Sequence, residues 1–176
     1  KPAYLYYISP TQINILTPPD ALSGPVQLVV ANNGALSTNF TAQGAALSPS
    51  FFVFNGGPYV AAVHTNGALI GPTALHPGST TPAKPGEIIS IYANGFGSTS
   101  VAVISGSVTQ GGVLSTMPVV RIGGTTATVQ FAGLVSPGLF QFNVVIPPTA
   151  ADGDLSISAT YGGSTTQTGT SIAVQH

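Results

Sequence analysis

The feature that most constrains this chain is an alternation of apolar and polar residues with a period of two. Successive side chains of a β-strand point to opposite faces, so this alternation is typical of strands with one buried face. Gly-containing turn pairs such as Asn33-Gly34 and Asn66-Gly67 separate the alternating segments. No window combines helix caps with a helical stripe, so we expect an all-β chain. The alternation is clearest in residues 12–15, 26–30, 87–92, 128–131 and 140–144.

Charged residues are scarce, and this scarcity excludes several classes of function. Three Lys and Arg stand against four Asp and Glu, so charged residues make up 4% of the chain, against about a quarter in an average protein. Without a basic patch, nucleic acid is not an expected partner. The absence of Cys excludes disulfides and thiolate metal sites. An almost uncharged surface offers little repulsion between molecules, which favours packing into an assembly.

The chain also contains an internal repeat. Residues 12–15 (QINI) are similar to residues 141–144 (QFNV), so Gln12 and Gln141 mark copies 129 positions apart. Upstream, residues 3–7 are similar to residues 127–131. Each copy is predicted to contain a strand, a Ser-Pro turn, a Gln-x-Asn strand, a Pro-Pro corner and two further strands. Other residues that match at the same offset are Pro18 and Pro147, Pro19 and Pro148, Gly24 and Gly153, Leu28 and Ile157, and Gly34 and Gly163.

The two copies differ in what precedes them. A long strand-rich stretch, from about residue 47 to residue 124, precedes only the second copy. We therefore expect an N-terminal unit, residues 1–43, that holds only the back half of a sandwich, and a complete C-terminal unit, residues 44–176. Half a sandwich exposes its inner face and open strand edges. The predicted interface on this face consists of Tyr4, Tyr6, Ile13, Ile15, Val26, Leu28 and Val30.

Three arrangements would cover such a half-sandwich. A neighbouring subunit could lend strands, an upstream fragment could stay paired with it, or the N-terminal unit could pack onto the C-terminal unit as one enlarged sandwich. Lent strands complete the fold of pilin subunits in this way. If subunits lend strands head to tail and the ring does not close, the product is a filament.

Several segments resemble a known family. Residues 85–97 (PGEIISIYANGFG) resemble the strand and turn of TIG/IPT immunoglobulin-like domains. Nearly the whole chain is similar to the Solibacter-type C-terminal domains of large secreted acidobacterial proteins, through PAYLYYISPTQIN, VANNG, PAKPGEIISIYANGFG, VQFAGL and QFNVVIP. The resemblance implies tandem immunoglobulin-like β-sandwiches that are extracellular and noncatalytic. It supplies no active-site residues.

Residues suited to catalysis or metal binding are few. The three histidines, His64, His76 and His176, would have to converge with a carboxylate to bind a metal, and we interpret them as surface or packing residues. The pair Asp152 and Asp154 could contribute to a Ca²⁺ site, which needs about six to eight oxygens, but a solvated turn is the favoured interpretation. No Gly-x-Ser-x-Gly elbow is present. We predict no metal, no cofactor and no enzymatic activity.

The remaining motifs concern the surface. Asn39-Phe40-Thr41 is an Asn-x-Thr sequon, which makes Asn39 a weak candidate for glycosylation. The tyrosines of residues 4–7 and the phenylalanines of residues 51–54 could form a sugar-binding platform. Burial in a core or a subunit interface is the favoured interpretation of both groups.

These observations lead to one hypothesis of function and one alternative. The first is a noncatalytic structural subunit, extracellular or at the cell surface, that assembles head to tail into a filament by completing its half-sandwich with a neighbour. Its expected partners are copies of itself or adjacent immunoglobulin-like domains. The alternative is an adhesive or carbohydrate-binding immunoglobulin-like module of a larger surface protein, with glycans as partners. Neither nucleic acid nor a membrane span is expected.

Overall fold

A computed structural model describes residues 1–20 and 23–176 of the chain. Within these residues the structure is built of strands, with one short 3-10 turn at Phe54–Gly56. The all-β fold predicted from the alternation is thereby confirmed. The first nine strands are β1 (Tyr4–Ile8), β2 (Ile13–Leu16), β3 (Gly24–Leu28), β4 (Ala31–Asn32), β5 (Ala35–Leu36), β6 (Phe40–Gly44), β7 (Ser50–Phe51), β8 (Ala62–His64) and β9 (Leu69–Ile70).

The later strands include the long ones of the fold. The strand β14 has 12 residues and β16 has 9, and each changes its pairing partner part-way along. The nine strands are β10 (Thr80–Thr81), β11 (Ile88–Asn94), β12 (Gly112–Val113), β13 (Val119–Ile122), β14 (Thr125–Ser136), β15 (Leu139–Val145), β16 (Gly153–Tyr161), β17 (Ser164–Thr165) and β18 (Ser171–Val174).

The strands from β7 onwards form a single sheet of 12 strands. One part runs in the order β8, β11, β15, β14, and the other runs β14, β13, β16, with β18 also paired to β16. Two isolated parallel bridges, Tyr59 to Ser171 and Ala83 to Val174, connect the region around β8 to β18. The sheet thus folds over on itself into a sandwich-like body.

The core lies inside this body. Alternate residues of β11 and β15 are buried, as the period of two predicts. The ring of Phe96 packs edge-to-face on Phe142 with centroids 4.6 Å apart, a geometry that aromatic rings favour. The buried hydrophobic residues of the described chain all lie between Phe51 and Val174.

Gly95, directly after β11, allows the segment before β7 to pass close to it. Its φ is +75°, and a Cβ built there would lie 1.9 Å from the carbonyl oxygen of Ser48. The backbone amide of Ser48 in turn donates to the carbonyl of Gly95 at 2.9 Å. Only glycine allows so close a backbone approach at a positive φ. The glycine-rich segment after β11 therefore serves packing.

The strands before residue 45 pair only among themselves in the described residues. They form three separate two-stranded ribbons, β1 with β2, β3 with β6, and β4 with β5. No described residue before Pro49 is buried. These strands do not extend the large sheet, so the one enlarged sandwich considered above does not form through strand pairing.

Strand pairing reproduces the sequence repeat in the first hairpin. The β1–β2 ribbon has the same register as the β14–β15 hairpin, and both contain a β-bulge at the same place, after Leu5 in one and after Val129 in the other. Equivalent opposite pairs are Tyr4–Leu16 and Thr128–Val145, Leu5–Ile15 and Val129–Val144, Tyr7–Asn14 and Phe131–Asn143, and Ile8–Ile13 and Ala132–Phe142.

The correspondence continues through the rest of the repeat. The β3–β6 ribbon matches β16–β18, and β4–β5 matches the end of β16 with β17. One side-chain hydrogen bond also recurs. In the first copy the hydroxyl of Ser37 accepts from the backbone amide of Val30, and in the second copy the hydroxyl of Thr166 accepts from the backbone amide of Ala159. Further equivalent pairs are Gly24–Gly44 and Gly153–Val174, Val26–Ala42 and Leu155–Ile172, and Asn32–Ala35 and Tyr161–Ser164.

Candidate functional site

The β3–β6 ribbon has one apolar and one polar face. Residues directly opposite each other in an antiparallel pair share a face, so Val26 and Ala42 lie on the same side as Leu28 and Phe40. On the other face, Gln27 donates to the Thr41 hydroxyl at 2.8 Å. The apolar face is open, since Leu28 is 37% exposed and Phe40 is 66% exposed. An exposed apolar face of this kind is typical of an interaction surface.

The β1–β2 ribbon places the predicted interface residues on two faces. Ile13 and Ile15 lie opposite Ile8 and Leu5, whereas Tyr4 lies opposite Leu16 on the other face. The bulge adds one residue to β1 around Tyr6 and shifts the alternation. The single face predicted to hold Tyr4 and Tyr6 together with Ile13 and Ile15 is therefore divided.

The second copy of the repeat shows which of these positions face a core. Ile13 and Ile15 are 39% and 41% exposed, but their equivalents Phe142 and Val144 are both 0% exposed. The same contrast holds further along the repeat. Leu28 and Val30 are 37% and 51% exposed, whereas Ile157 and Ala159 are 3% and 0% exposed.

The remaining interface residues divide in the same way. Val26 corresponds to Leu155, which packs partly buried against the core. Tyr4 and Tyr6 correspond by sequence to Thr128 and Gln130, which are exposed. Five of the seven predicted interface residues thus match inward-facing positions, and the two tyrosines match outward-facing ones.

Alternation alone missed three further inward-facing positions. Ile8, Phe40 and Ala42 correspond to residues that are buried in the second copy, namely Ala132, Thr170 and Ile172. Phe40 lies in the Asn39 sequon, outside the alternating segments. The repeat offset, applied to the pairing of the last strand, was the signal that could have found it.

The outward-facing tyrosine Tyr4 rests on the C-terminal unit. A Cβ built at Gly106 would lie 2.7 Å from the ring of Tyr4. Similarly, a Cβ built at Gly138 would lie 3.4 Å from the side chain of Leu16. The hairpin therefore contacts the C-terminal unit with its Tyr4 and Leu16 face. The face of Ile13 and Ile15 is left to solvent.

Among the described residues, the N-terminal unit has no counterpart of several strands of the C-terminal unit, including β11 and β13. There, β13 hydrogen-bonds to both β14 and β16, and β11 pairs along the outer edge of β15. Without a counterpart of β13, the ribbons β1–β2 and β3–β6 are not joined. Without a counterpart of β11, the outer edge of β2 has no strand partner in the part of the chain that the structure describes.

The candidate glycosylation residue lies on the same unit. Asn39 is exposed and immediately precedes β6. The Thr41 hydroxyl of its sequon accepts a hydrogen bond from Gln27 on the polar face of the ribbon. A glycan at Asn39 would therefore lie at the start of β6.

A cluster that sequence reasoning did not predict surrounds His64. Its Nδ1 lies 2.5 Å from Glu87 Oε1, and its Nε2 lies 2.9 Å from the Thr81 hydroxyl. The second Glu87 oxygen accepts from the backbone amide of Lys84 at 2.9 Å. These groups border an open cleft of about 710 Å³. Pairing of β8 with β11, which sets His64 opposite Ile89, brings residues distant in sequence together.

The order hydroxyl, imidazole, carboxylate is also that of a nucleophile, a base and its orienting group. The Nε2 atom of His64, however, lies 3.3 Å from the Thr81 carbonyl as well as near the hydroxyl. The imidazole therefore cross-links β8, β10 and the start of β11. We interpret the cluster as structural.

The predicted turn at Asp152-Gly153-Asp154 is wrong, because Asp154 lies within β16, and the two carboxylates have separate partners. Asp152 accepts from the backbone amide and Nδ1 of His176 at 2.9 and 2.6 Å, and these bonds lower the pKa of Asp152. Asp154 accepts from the Tyr59 hydroxyl at 2.8 Å, and this bond raises the pKa of Tyr59.

Within residues 1–20 and 23–176, no three His, Asp or Glu side chains converge as metal ligands. The third histidine, His76, packs edge-on against Phe54.

Comparison with known proteins adds no assignment. No family model matches the chain, and no curated protein matches it. Among the described residues, none of the helical structure is long and apolar enough to cross a membrane. The open faces of the N-terminal unit form a candidate interaction surface, which we call the acceptor surface: Ile8, Ile13, Ile15, Val26, Leu28, Val30, Phe40 and Ala42.

Proposed function

We propose that this protein is a noncatalytic structural subunit that assembles head to tail into a filament, with its N-terminal unit completed by strands of a neighbouring subunit. One observation carries the proposal. Positions that are buried in the second copy of the repeat, such as Phe142 and Val144, are open in the first copy at Ile13 and Ile15. The hairpin pairing that holds these positions is the same in both copies.

The proposed architecture is a pair of tandem immunoglobulin-like sandwiches, of which the first is incomplete. The sheet order around β11 and β16, and the parallel bridges that close the C-terminal unit, support a two-layered sandwich for that unit. The N-terminal unit has the pairings of its back half, and no counterpart of β11 or β13 among the described residues.

Burial of apolar side chains would drive the assembly. Full burial of one Ile, Leu or Val side chain contributes about 1.5–3 kcal/mol, and the acceptor surface holds several that are between one third and two thirds exposed. Hydrogen bonds along the free edge of β2 would set direction and register, as in other cases of strand addition. A contact of about 1,600 Å² is enough for a stable complex.

The proposed location is outside the cell or at its surface. A net charge of -1 and 4% charged residues suit a protein that is packed among others. The resemblance to domains of large secreted proteins supports the same location.

The test compares two double variants of the whole chain. Ile15→Lys with Leu28→Asp places charges on the acceptor surface, whereas Gln27→Lys with Thr41→Asp places the same charges on the polar face of the β3–β6 ribbon. Electron microscopy and light scattering should show fibres for the wild type and the second variant, and no fibres for the first.

Two results would contradict the proposal. Fibres formed by the Ile15→Lys, Leu28→Asp variant would show that the acceptor surface is not the interface. A wild-type protein that stays at its monomer mass of 17.6 kDa at all concentrations would show that the chain does not assemble with itself.

A second candidate function, an adhesive or sugar-binding module, is favoured by one observation. Tyr4, Tyr6 and Tyr7 are 46%, 66% and 51% exposed along a single strand, and exposed aromatic rings can stack on sugars. Binding of the monomer to a glycan array, lost in Tyr6→Ala with Tyr7→Ala, would support this candidate. Unchanged binding in that variant would count against it.

A further inference from the structure

We propose that the acceptor surface is specific for one kind of strand, added antiparallel to the free edge of β2, with a hydroxyl residue opposite Asn14 and apolar residues opposite Ile13 and Ile15. The occupant is a polypeptide segment with the pattern of Ile88–Asn94, on a neighbouring subunit. This inference rests on the proposed function and names its partner.

In the C-terminal unit, a strand already occupies the edge that is equivalent to the free edge of β2. There β11 lies antiparallel to β15, with Ile89 opposite Val144 and Ile91 opposite Phe142. Both isoleucines are 0% exposed. The repeat places Ile15 and Ile13 at the positions of Val144 and Phe142. An incoming strand in the same register would direct its apolar residues over the open face.

The polar residues between these positions fix the register. In the C-terminal unit, Ser90 lies opposite Asn143 and its hydroxyl donates to Asn143 Oδ1 at 3.2 Å. Gln141 also donates to that oxygen, at 2.8 Å. Two donors therefore satisfy the amide oxygen of Asn143, one from its own strand and one from the added strand.

The N-terminal unit already holds one half of this network. Gln12 donates to Asn14 Oδ1 at 2.6 Å, as Gln141 does to Asn143. The second acceptor position of Asn14 Oδ1 is the one that a Ser or Thr hydroxyl of an added strand would occupy. A strand shifted by one residue would place an apolar side chain there and turn its other apolar residues outwards.

The donated strand is not β11 of a folded neighbour. In the folded C-terminal unit, β11 is paired on one edge with β15 and on the other with β8. A strand that is paired on both edges cannot add to β2, so the donor is a segment of this pattern whose edge is free.

The experiment uses the full-length protein and a synthetic peptide of residues 85–95, PGEIISIYANG, labelled with fluorescein. Two control peptides carry Ser90→Val, or Ile89 and Ser90 exchanged. Anisotropy measures affinity, and amide chemical shifts of residues 13–16 report the site of binding. Shifts confined to residues 139–145 would show exchange into the C-terminal unit and would overturn the inference.

We expect the natural peptide to change the chemical shifts of residues 13–16. It should bind about tenfold more tightly than the Ser90→Val peptide, which corresponds to loss of one hydrogen bond to the amide of Asn14. In Asn14→Leu protein, this preference should disappear, because the amide oxygen is gone. Equal affinity of all three peptides for the wild type would overturn the inference.

The outcomes separate this inference from the proposed function. If the protein forms fibres, and the natural peptide shortens them while the two control peptides do not, the result supports both the proposed function and the strand preference. If fibres form but the peptide neither binds nor shortens them, the inference fails and assembly stands. If the peptide binds at residues 13–16 of a protein that never assembles, the strand preference stands and head-to-tail assembly fails.

Discussion

Ile13 and Phe142 occupy the same position in two hairpins of equal register, yet Ile13 is 39% exposed and Phe142 is 0% exposed. Ile13 lies opposite Ile8 as Phe142 lies opposite Ala132. The two environments differ because Phe51 and Phe96 pack on Phe142 and β11 pairs with its strand, whereas no described strand pairs with the outer edge of β2. The position of a residue in the repeat thus indicates its burial only where the neighbouring strands are present.

This contrast predicts that shortening the two side chains to Ala lowers the free energy of unfolding of the unassembled protein by unequal amounts. Phe142→Ala should lower the free energy of unfolding by about 3–5 kcal/mol, because it opens a cavity in a packed core. Ile13→Ala should change it by less than about 0.5 kcal/mol, as expected at an exposed site. Urea unfolding of both variants measures the difference, and comparable losses would contradict the distinction between the copies.

Gly95 and Gly124 form a matched pair for testing backbone approach. Both have positive φ, at +75° and +81°, but a Cβ at Gly124 would meet no atom within 4 Å. Gly124→Ala should therefore cost only about 1–2 kcal/mol for the left-handed conformation. Gly95→Ala should cost clearly more, because its Cβ would meet the Ser48 carbonyl. Similar unfolding midpoints would show that the Ser48 contact imposes no constraint.

The cluster of Thr81, His64 and Glu87 is expected to be inert towards esters. Wild-type protein and Thr81→Val should release p-nitrophenolate from p-nitrophenyl acetate at the same rate, without a burst. The variant keeps the shape of the side chain and removes only the hydroxyl that would act as a nucleophile. A burst in the wild type that Thr81→Val abolishes would contradict the noncatalytic proposal.

The hydrogen bond from Tyr59 to Asp154 predicts an alkaline transition. Because that bond, burial and the nearby carboxylate charge raise the pKa of Tyr59, its contribution to stability is fully present below the unfolded pKa of about 10. The contribution is lost as the pH rises through the folded pKa. Tyr59→Phe should remove this part of the pH dependence of unfolding.

Ultraviolet titration of tyrosinate provides the direct measurement. Asp154→Asn should lower the pKa of Tyr59 towards its ordinary value, because the charged acceptor is replaced by a neutral one. A titration curve unchanged by Asp154→Asn would show that the bond is not formed in solution.

The local pattern of the sequence predicted the strands well. Alternation in residues 87–92 and 140–144 coincides with β11 and β15, whose inward residues are the core. The repeat likewise predicted the equivalent strands, since local residue pairs such as Asn32–Ala35 set the same hairpin registers in both copies. Strands and hairpin registers depend on residues that are close in sequence, so an alternation with a period of two predicts them directly.

The interface could be predicted only in part. Alternation placed Tyr4 and Ile13 on one face, but the bulge after Leu5 moves Tyr4 to the other. A run of three tyrosines and two aliphatic residues shows no break at which a bulge could be recognised. The His64 cluster was missed for a related reason, since Glu87 reaches His64 only through pairing of β8 with β11.

The sequence by itself determined that this chain is all-β, that it carries two copies of one set of strands, and that its surface has almost no charge. The tertiary structure decided which face each side chain of the N-terminal unit occupies and which of the two copies has a core. The physical reason is that burial is a property of neighbouring strands. A residue such as Ile15 has the same local preferences as Val144, and only Val144 is surrounded by the strands and core side chains that remove it from water.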